Sequence, residues 1–402
     1  MKRALKLLLI VTVFVTVNQR TENIGNTQDL TITIEKGAKK ESNSTRKPVF
    51  SGKRPSVDVA ILLDTSNSMD GLIDQAKSQL WNIVQEFSKA KRKGKTPLFR
   101  VSVFEYGNSG LPAREGYIRQ VVQLTDDLDK VSETLFSLST NGGDEYCGAV
   151  IHEAVKRLDW SNEPNAYKAI FIAGNEPFTQ GSIDYRSACK KAIGAGIVVN
   201  TIHCGDYRQG VKGKWKEGAD LAEGEYLNID QDKTVVHIKC PQDKVIIELN
   251  TELNKTYLWY GSKSTREAYA TNQAVQDSNA SSFGGLSSRA ATKSGALYRN
   301  VGRDLVDTYD ENKESILELK DADLPEEMHN LSADERLKKI KAMSKRRAEI
   351  KSKMAMVAKE RQAYIDAEKA KLAKESGATT LGDAVSAAVQ KQLKESGFDL
   401  KK

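Results

Sequence analysis

Apolar residues in the first half of the chain come in short unbroken blocks, separated by stretches where they recur every three or four positions. Blocks at residues 57–63, 99–104, 118–124, 169–172, 197–202 and 225–229 have the length and continuity of strands. The stretches between them have helical spacing. In residues 71–90, Leu72, Ala76, Leu80, Val84 and Phe87 share one face, and similar patterns predict helices over 128–138, 148–158, 183–193 and 214–221. Strands without polar alternation, separated by helices, predict an α/β fold: a doubly wound, mostly parallel, Rossmann-like sheet covered on both faces.

Beyond Cys240 the pattern becomes helical. Residues 245–253, 262–279 and 305–319 read as helices, joined by an Ala- and Ser-rich connection over 281–295. Residues 332–374 contain no Gly or Pro, and Ile340, Met343, Ile350, Met354, Val357 and Tyr364 form a narrow apolar stripe that Arg347 and Arg361 interrupt. This predicts a long helix, in a hairpin or a weak coiled coil, broken near Gly377 and followed by a short helix over 381–393. The expected division is an N-terminal export segment (1–20), a polar linker (21–55) with one β-like stretch at 30–34, an α/β domain (56–240), a helical extension (241–324) and a long-helix tail (325–402).

A length of 402 residues fits more than one unit. The net charge of +7 is modest, and no basic run is interleaved with aromatics, so nucleic acid is not an expected partner. Lys2 and Arg3 precede an apolar run over 4–17 that only Lys6 interrupts, the form of a signal-peptide core. Residues 17–20 lack a small-x-small cleavage pattern, so an uncleaved anchor is the alternative. Either predicts an exported protein: periplasmic, secreted or N-terminally membrane-anchored. Cys147, Cys189, Cys204 and Cys240 contain no close pair for zinc; they allow one or two disulfides, or buried thiols.

The chemistry concentrates where the first strand ends, in Asp64-Thr65-Ser66-Asn67-Ser68. Open parallel sheets bind ligands at the carboxyl ends of their strands. An Asp followed at two-residue steps by two Ser places a carboxylate and two hydroxyls around one point, a set suited to a hard cation. Mg²⁺ is expected, with Ca²⁺ and Mn²⁺ as alternatives. The plainer reading is that Ser68 or Asp70 caps the following helix. Cys147 and His152 lack a third group to orient them as a nucleophile and base. His203 and Cys204, ending the fifth strand, are candidates for a rim, and Asn254-Lys255-Thr256 is a glycosylation sequon.

With this loop in its setting, residues 57 to about 230 resemble the von Willebrand factor type A family, and Asp64, Ser66 and Ser68 match its metal-ion-dependent adhesion site. The resemblance implies a Thr in a second loop and an Asp in a third. Here Asp144 stands at the Thr position in Gly142-Gly143-Asp144-Glu145-Tyr146, and Gly174 at the Asp position in Ala173-Gly174-Asn175-Glu176-Pro177. One carboxylate is lost and one gained, so the expected metal ligands are Asp64, Ser66, Ser68 and Asp144, braced by Asn175 or Glu176. The resemblance further implies metal-dependent, adhesion-like binding of a protein that presents an Asp or Glu carboxylate, and no enzyme activity. The alternatives are an envelope scaffold whose C-terminal helices carry the interaction or self-associate, and an accessory subunit of an enzyme.

Overall fold

The computed structural model describes residues 54–400 apart from 233, 234, 236, 317, 318 and 373–379. The expected export segment and nearly all of the polar linker lie outside the described residues. The α/β part runs β1 (Ser56–Asp64), α1 (Asp70–Ser88), β2 (Ala90–Lys91), β3 (Leu98–Tyr106), β4 (Ile118–Thr125), α2 (Leu128–Phe136), α3 (Cys147–Arg157), β5 (Tyr167–Gly174), α4 (Tyr185–Gly194), β6 (Val198–Cys204), α5 (Tyr207–Lys212), α6 (Trp215–Asp220) and β7 (Tyr226–Ile229). The helical part follows as α7 (Asp243–Asn254), α8 (Lys263–Ser282), α9 (Leu286–Ser294), α10 (Leu305–Glu311), α11 (Ala333–Leu372) and α12 (Leu381–Glu395), with a last short strand β8 (Asp399–Leu400).

Six strands form one sheet in the order β4-β3-β1-β5-β6-β7, all parallel except β4. The period of two along β1 divides its side chains between two cores. Val57, Val59 and Leu63 join the core under α1, while Ala60 and Leu62 join the core with α3 and α4. Burial on both faces explains why the strands read as continuous apolar blocks. Helix α5 was not expected; its six residues are too few to establish a helical period.

The C-terminal region follows the expected order, but the helix expected over 305–319 ends at Glu311, and there is one further difference of content and one of placement. The Ala- and Ser-rich connection contains α9, whose small side chains let it pack tightly: Ser287, Ser288, Ala290 and Thr292 are all buried. The long helix forms, but it does not project as a tail. It lies against α7, α9 and α10, with Ile340, Ile350 and Met354 buried and Tyr364 exposed. The two arginines that interrupt its stripe are themselves buried. Arg347 donates to Asp304 (2.5 Å), Asp307 (2.8 Å) and Thr256 Oγ1 (3.0 Å), and its guanidinium covers the Tyr257 ring at 4.2 Å. Arg361 pairs with Asp243 at 2.7 Å.

Helix α12 then returns to the α/β part. Thr380 and Asp383 form a capping box at its start, and Leu381 N donates to Gln75 Oε1 at 2.9 Å. Further along, Gln392 accepts from Tyr167 OH (2.7 Å) and donates to Asn200 Oδ1 (2.6 Å). Leu381, Val385, Val389 and Leu393 cover the same sheet face as α1. The helical layer is tied to that face by Arg289, fully buried, which pairs with Asp129 on α2 (2.6 Å) and with Asp277 on α8 (2.5 Å). The sequon is part of this network: Asn254 Nδ2 donates to Asp277 at 2.8 Å, and its Oδ1 accepts from Lys293.

Candidate functional site

Four loops meet at the carboxyl edge of the sheet, and Asp64 lies at their centre, fully buried. The loop after β1 is fixed by its neighbours: Thr65 N donates to Tyr106 O (2.8 Å) and Asn141 N donates to Thr65 O (2.9 Å). Thr65 Oγ1 also reaches Glu105 Oε2 at 3.3 Å, and Glu105 is held in turn by Arg119. Asp64 Oδ1 accepts from Ser66 N at 2.8 Å, which turns the chain so that the Ser66 and Ser68 hydroxyls come within 3.3 Å of each other.

Neither hydroxyl is used as a helix cap. The short helical turn at Asn67–Met69 and α1 both begin without a side-chain capping bond. Asp70 instead accepts from Thr140. The capping reading therefore gives way to one in which both serine oxygens face a common point.

The second loop brings a different acid from the one expected. Asp144 is exposed and accepts from Tyr146 OH at 3.0 Å. Its neighbour Glu145 is buried, 5 % exposed, with its side chain beside Asp64: both flank the space above Gly107. Neighbouring residues in an extended segment point to opposite sides. Once Cys147 enters the core at the start of α3, Glu145 points inward and Asp144 outward. The backbone N–H of Glu145 is held by Gln180 Oε1 at 3.1 Å.

Glycines make the approach possible. Gly107 has φ +79°, and a Cβ there would come within 2.8 Å of both Asp64 Oδ1 and Glu145 Cγ. At Gly174 a Cβ would lie 2.5 Å from Tyr106 OH and 3.0 Å from Asp64 Oδ2. The third loop therefore supplies backbone rather than a carboxylate. Asn175 Nδ2 donates to Ser68 Oγ at 3.2 Å, and His203 Nε2 meets Asn175 O at 3.2 Å, so His203 braces this loop from behind. Glu176 is exposed, 3.4 Å from Gln180 Nε2.

Two oxygens in this cluster, Asp64 Oδ2 and Asn175 Oδ1, are buried with no hydrogen-bond partner. Burial and the Asp64 carboxyl alongside push Glu145 up to about 9, and burial raises Asp64 as well. Two carboxyls in contact away from water share either a proton or a cation. The donor set is two carboxylates and two hydroxyls, all oxygen, as a hard cation requires. Among the described residues no three His, Cys, Asp or Glu side chains gather as metal ligands, so a cation here would depend on the serine hydroxyls.

The cysteines do not extend the site. All four are free thiols; Cys147 and Cys204 lie in cores on opposite faces of the sheet, and no bridge joins them. Burial pushes the Cys147 thiol well up, and it contacts Tyr106 OH at 3.8 Å.

With this geometry in place, the matches to known proteins are consistent with one another. Residues 58–219 match the von Willebrand factor type A domain, and this part of the chain is such a domain. Among solved structures the chain is similar to proximal thread matrix protein 1 from the mussel byssus, whose structure has a zinc-occupied metal-ion-dependent adhesion site motif. That match has 15% identity, TM-score 0.35, and covers 45% of this chain and 43% of that one. It is also similar to BatB from Bacteroides thetaiotaomicron (19% identity, TM-score 0.34, covering 44% and 91%) and to the SpRpn10 VWA domain (16%, 0.33, 45% and 90%). The chain spans under half the length of the mussel protein. No curated protein matches it as a relative. Among the described residues no helix is long and apolar enough to cross a membrane.

Proposed function

We propose that this protein is a divalent-cation-dependent binding module for other proteins, working through the Asp64 edge of its sheet. A bound cation would be held by Asp64, Ser66, Ser68 and Glu145, and would supply a Lewis-acid attraction for an Asp or Glu carboxylate of the partner. The observation that carries the reading is the buried, unpartnered Asp64 Oδ2, set among oxygens that cannot all satisfy one another. Asn175 directs its amide hydrogen at Ser68 and so orients that hydroxyl oxygen. Glu145 supplies the negative charge that Gly174 does not. Mg²⁺ is the proposed ion, since two carboxylates and two hydroxyls leave room for water or a partner's acid in octahedral geometry.

The signal-like N-terminus supports a place outside the cytoplasm. We read the site as one for binding rather than catalysis, because its oxygens are held rigidly by backbone contacts and the adjacent Cys147 thiol is buried. The test is affinity capture with the full chain in Mg²⁺, in EDTA, and with Asp64→Ala in Mg²⁺. Proteins retained in the first condition and lost in the other two support the reading. A retained set that neither chelation nor the substitution alters contradicts it.

A further inference from the structure

A second cluster of charged groups lies at the opposite end of the sheet from Asp64. Arg54 precedes β1, Lys95 and Thr96 precede β3, Arg299 lies between α9 and α10, and Lys351 projects from α11. Together they line an open cavity of about 470 Å³. We propose that this cavity is an anion site that takes a phosphoryl group.

The argument rests on which charges are already matched. Glu311 is shared by Arg54, at 2.7 Å, and Arg299. Each guanidinium uses one nitrogen on that acid, so its remaining N–H groups have no partner among the described residues. Asp307 lines the cavity but is taken by Arg347 and by Asn300 N, each at 2.8 Å. Asp310 is exposed at the rim and accepts from Ser344 at 2.9 Å.

The side-chain ammoniums of Lys95 and Lys351 have neither an ion pair nor a hydrogen bond among the described residues. Lys95 is exposed, but Lys351 is half-buried, and burial pulls its ammonium below the ordinary lysine range although Asp307 lies nearby. A partly desolvated ammonium without a partner is unfavourable unless an anion reaches it. The four cations Arg54, Lys95, Arg299 and Lys351 outnumber the acids beside them, Glu311, Asp310 and an Asp307 already bound by Arg347. They suit an anion with several acceptor oxygens, and the planar arginine fork fits a phosphoryl group well. The group is either free inorganic phosphate or a phosphate carried on a lipid headgroup.

The experiment is calorimetric titration of the full chain with inorganic phosphate in EDTA, which keeps the Asp64 site out of the measurement. Saturable binding is expected, weakened about tenfold by Lys351→Gln, the loss of one charge-assisted hydrogen bond. Lys95→Gln, at an exposed position, is expected to weaken it about threefold, a smaller share of the same charge. Co-sedimentation with vesicles containing phosphatidic acid, but not with pure phosphatidylcholine, would support a lipid-borne phosphate. Phosphate binding without such co-sedimentation would support a soluble one. Binding to neither probe, or equal affinity in the parent and both variants, overturns the site.

Discussion

The carboxyl group of Glu145 lies against that of Asp64 in a buried pocket, while the adjacent Asp144 turns outward to Tyr146. If Glu145 supplies the second carboxylate of a cation site, Glu145→Gln should weaken Mn²⁺ binding at least about tenfold, the cost of one lost charged ligand. Asp144→Asn should leave it within about twofold, as expected of an exposed charge. Parallel calorimetric titrations of the two variants would show this difference. Equal losses would contradict the assignment.

Gly174 allows the third loop to pass over Asp64. Tyr106 OH cannot retreat from an added methyl, because the ring is buried and the hydroxyl donates to Ala173 O at 3.0 Å. Gly174→Ala is therefore expected to cost about 1–3 kcal/mol of stability through overpacking, measured by urea unfolding. A variant as stable as the parent would show that the loop has more room than the structure gives it.

Arg347 fixes α11 to the rest of the helical layer. Removing it leaves Asp304 and Asp307 buried without their common partner, and Arg347→Met should cost about 3–5 kcal/mol. The double variant with Asp304→Asn should recover part of that loss in the same urea experiment. If α11 were only a solvated tail, neither change would move the unfolding midpoint.

Asp277 gives the fold a predictable acid sensitivity. Burial opposes its ionisation, but Lys293 and Arg289 outweigh burial and hold the carboxyl well below the usual range. An acid with a lowered folded-state pKa contributes stability above its unfolded value of about 4 and loses that contribution as pH falls further. Unfolding free energy measured from pH 6 down to pH 2.5 should therefore fall more steeply in the parent than in Asp277→Asn. Parallel slopes would remove Asp277 from the acid response.

The sequence shows the sheet and its first loop clearly because their signals are local. The apolar blocks around Val59 and Ile170 need burial on both faces, and Asp64, Ser66 and Ser68 follow a strand directly. The choice between Asp144 and Glu145 is not local. It depends on which of two adjacent acids faces inward, and that is fixed by Cys147 entering the core at the start of α3. The buried positions of Arg347 and Arg361 were equally hidden, because an arginine within an apolar stripe reads as an interruption until its acids arrive from α7 and α10. The return of α12 to the α1 face depends on contacts between distant parts of the chain, among them Gln392 with Asn200 and Tyr167. Helical spacing over 381–393 predicts the helix but not where it packs.

The most direct test of the cation site is a Mn²⁺ titration of the purified full chain followed by water-proton relaxation, with Asp64→Ala measured alongside. One saturable site per chain, displaced by excess Mg²⁺ and lost in Asp64→Ala, is the result expected from oxygens converging on Asp64. No saturable binding, or binding that Asp64→Ala leaves unchanged, would contradict it.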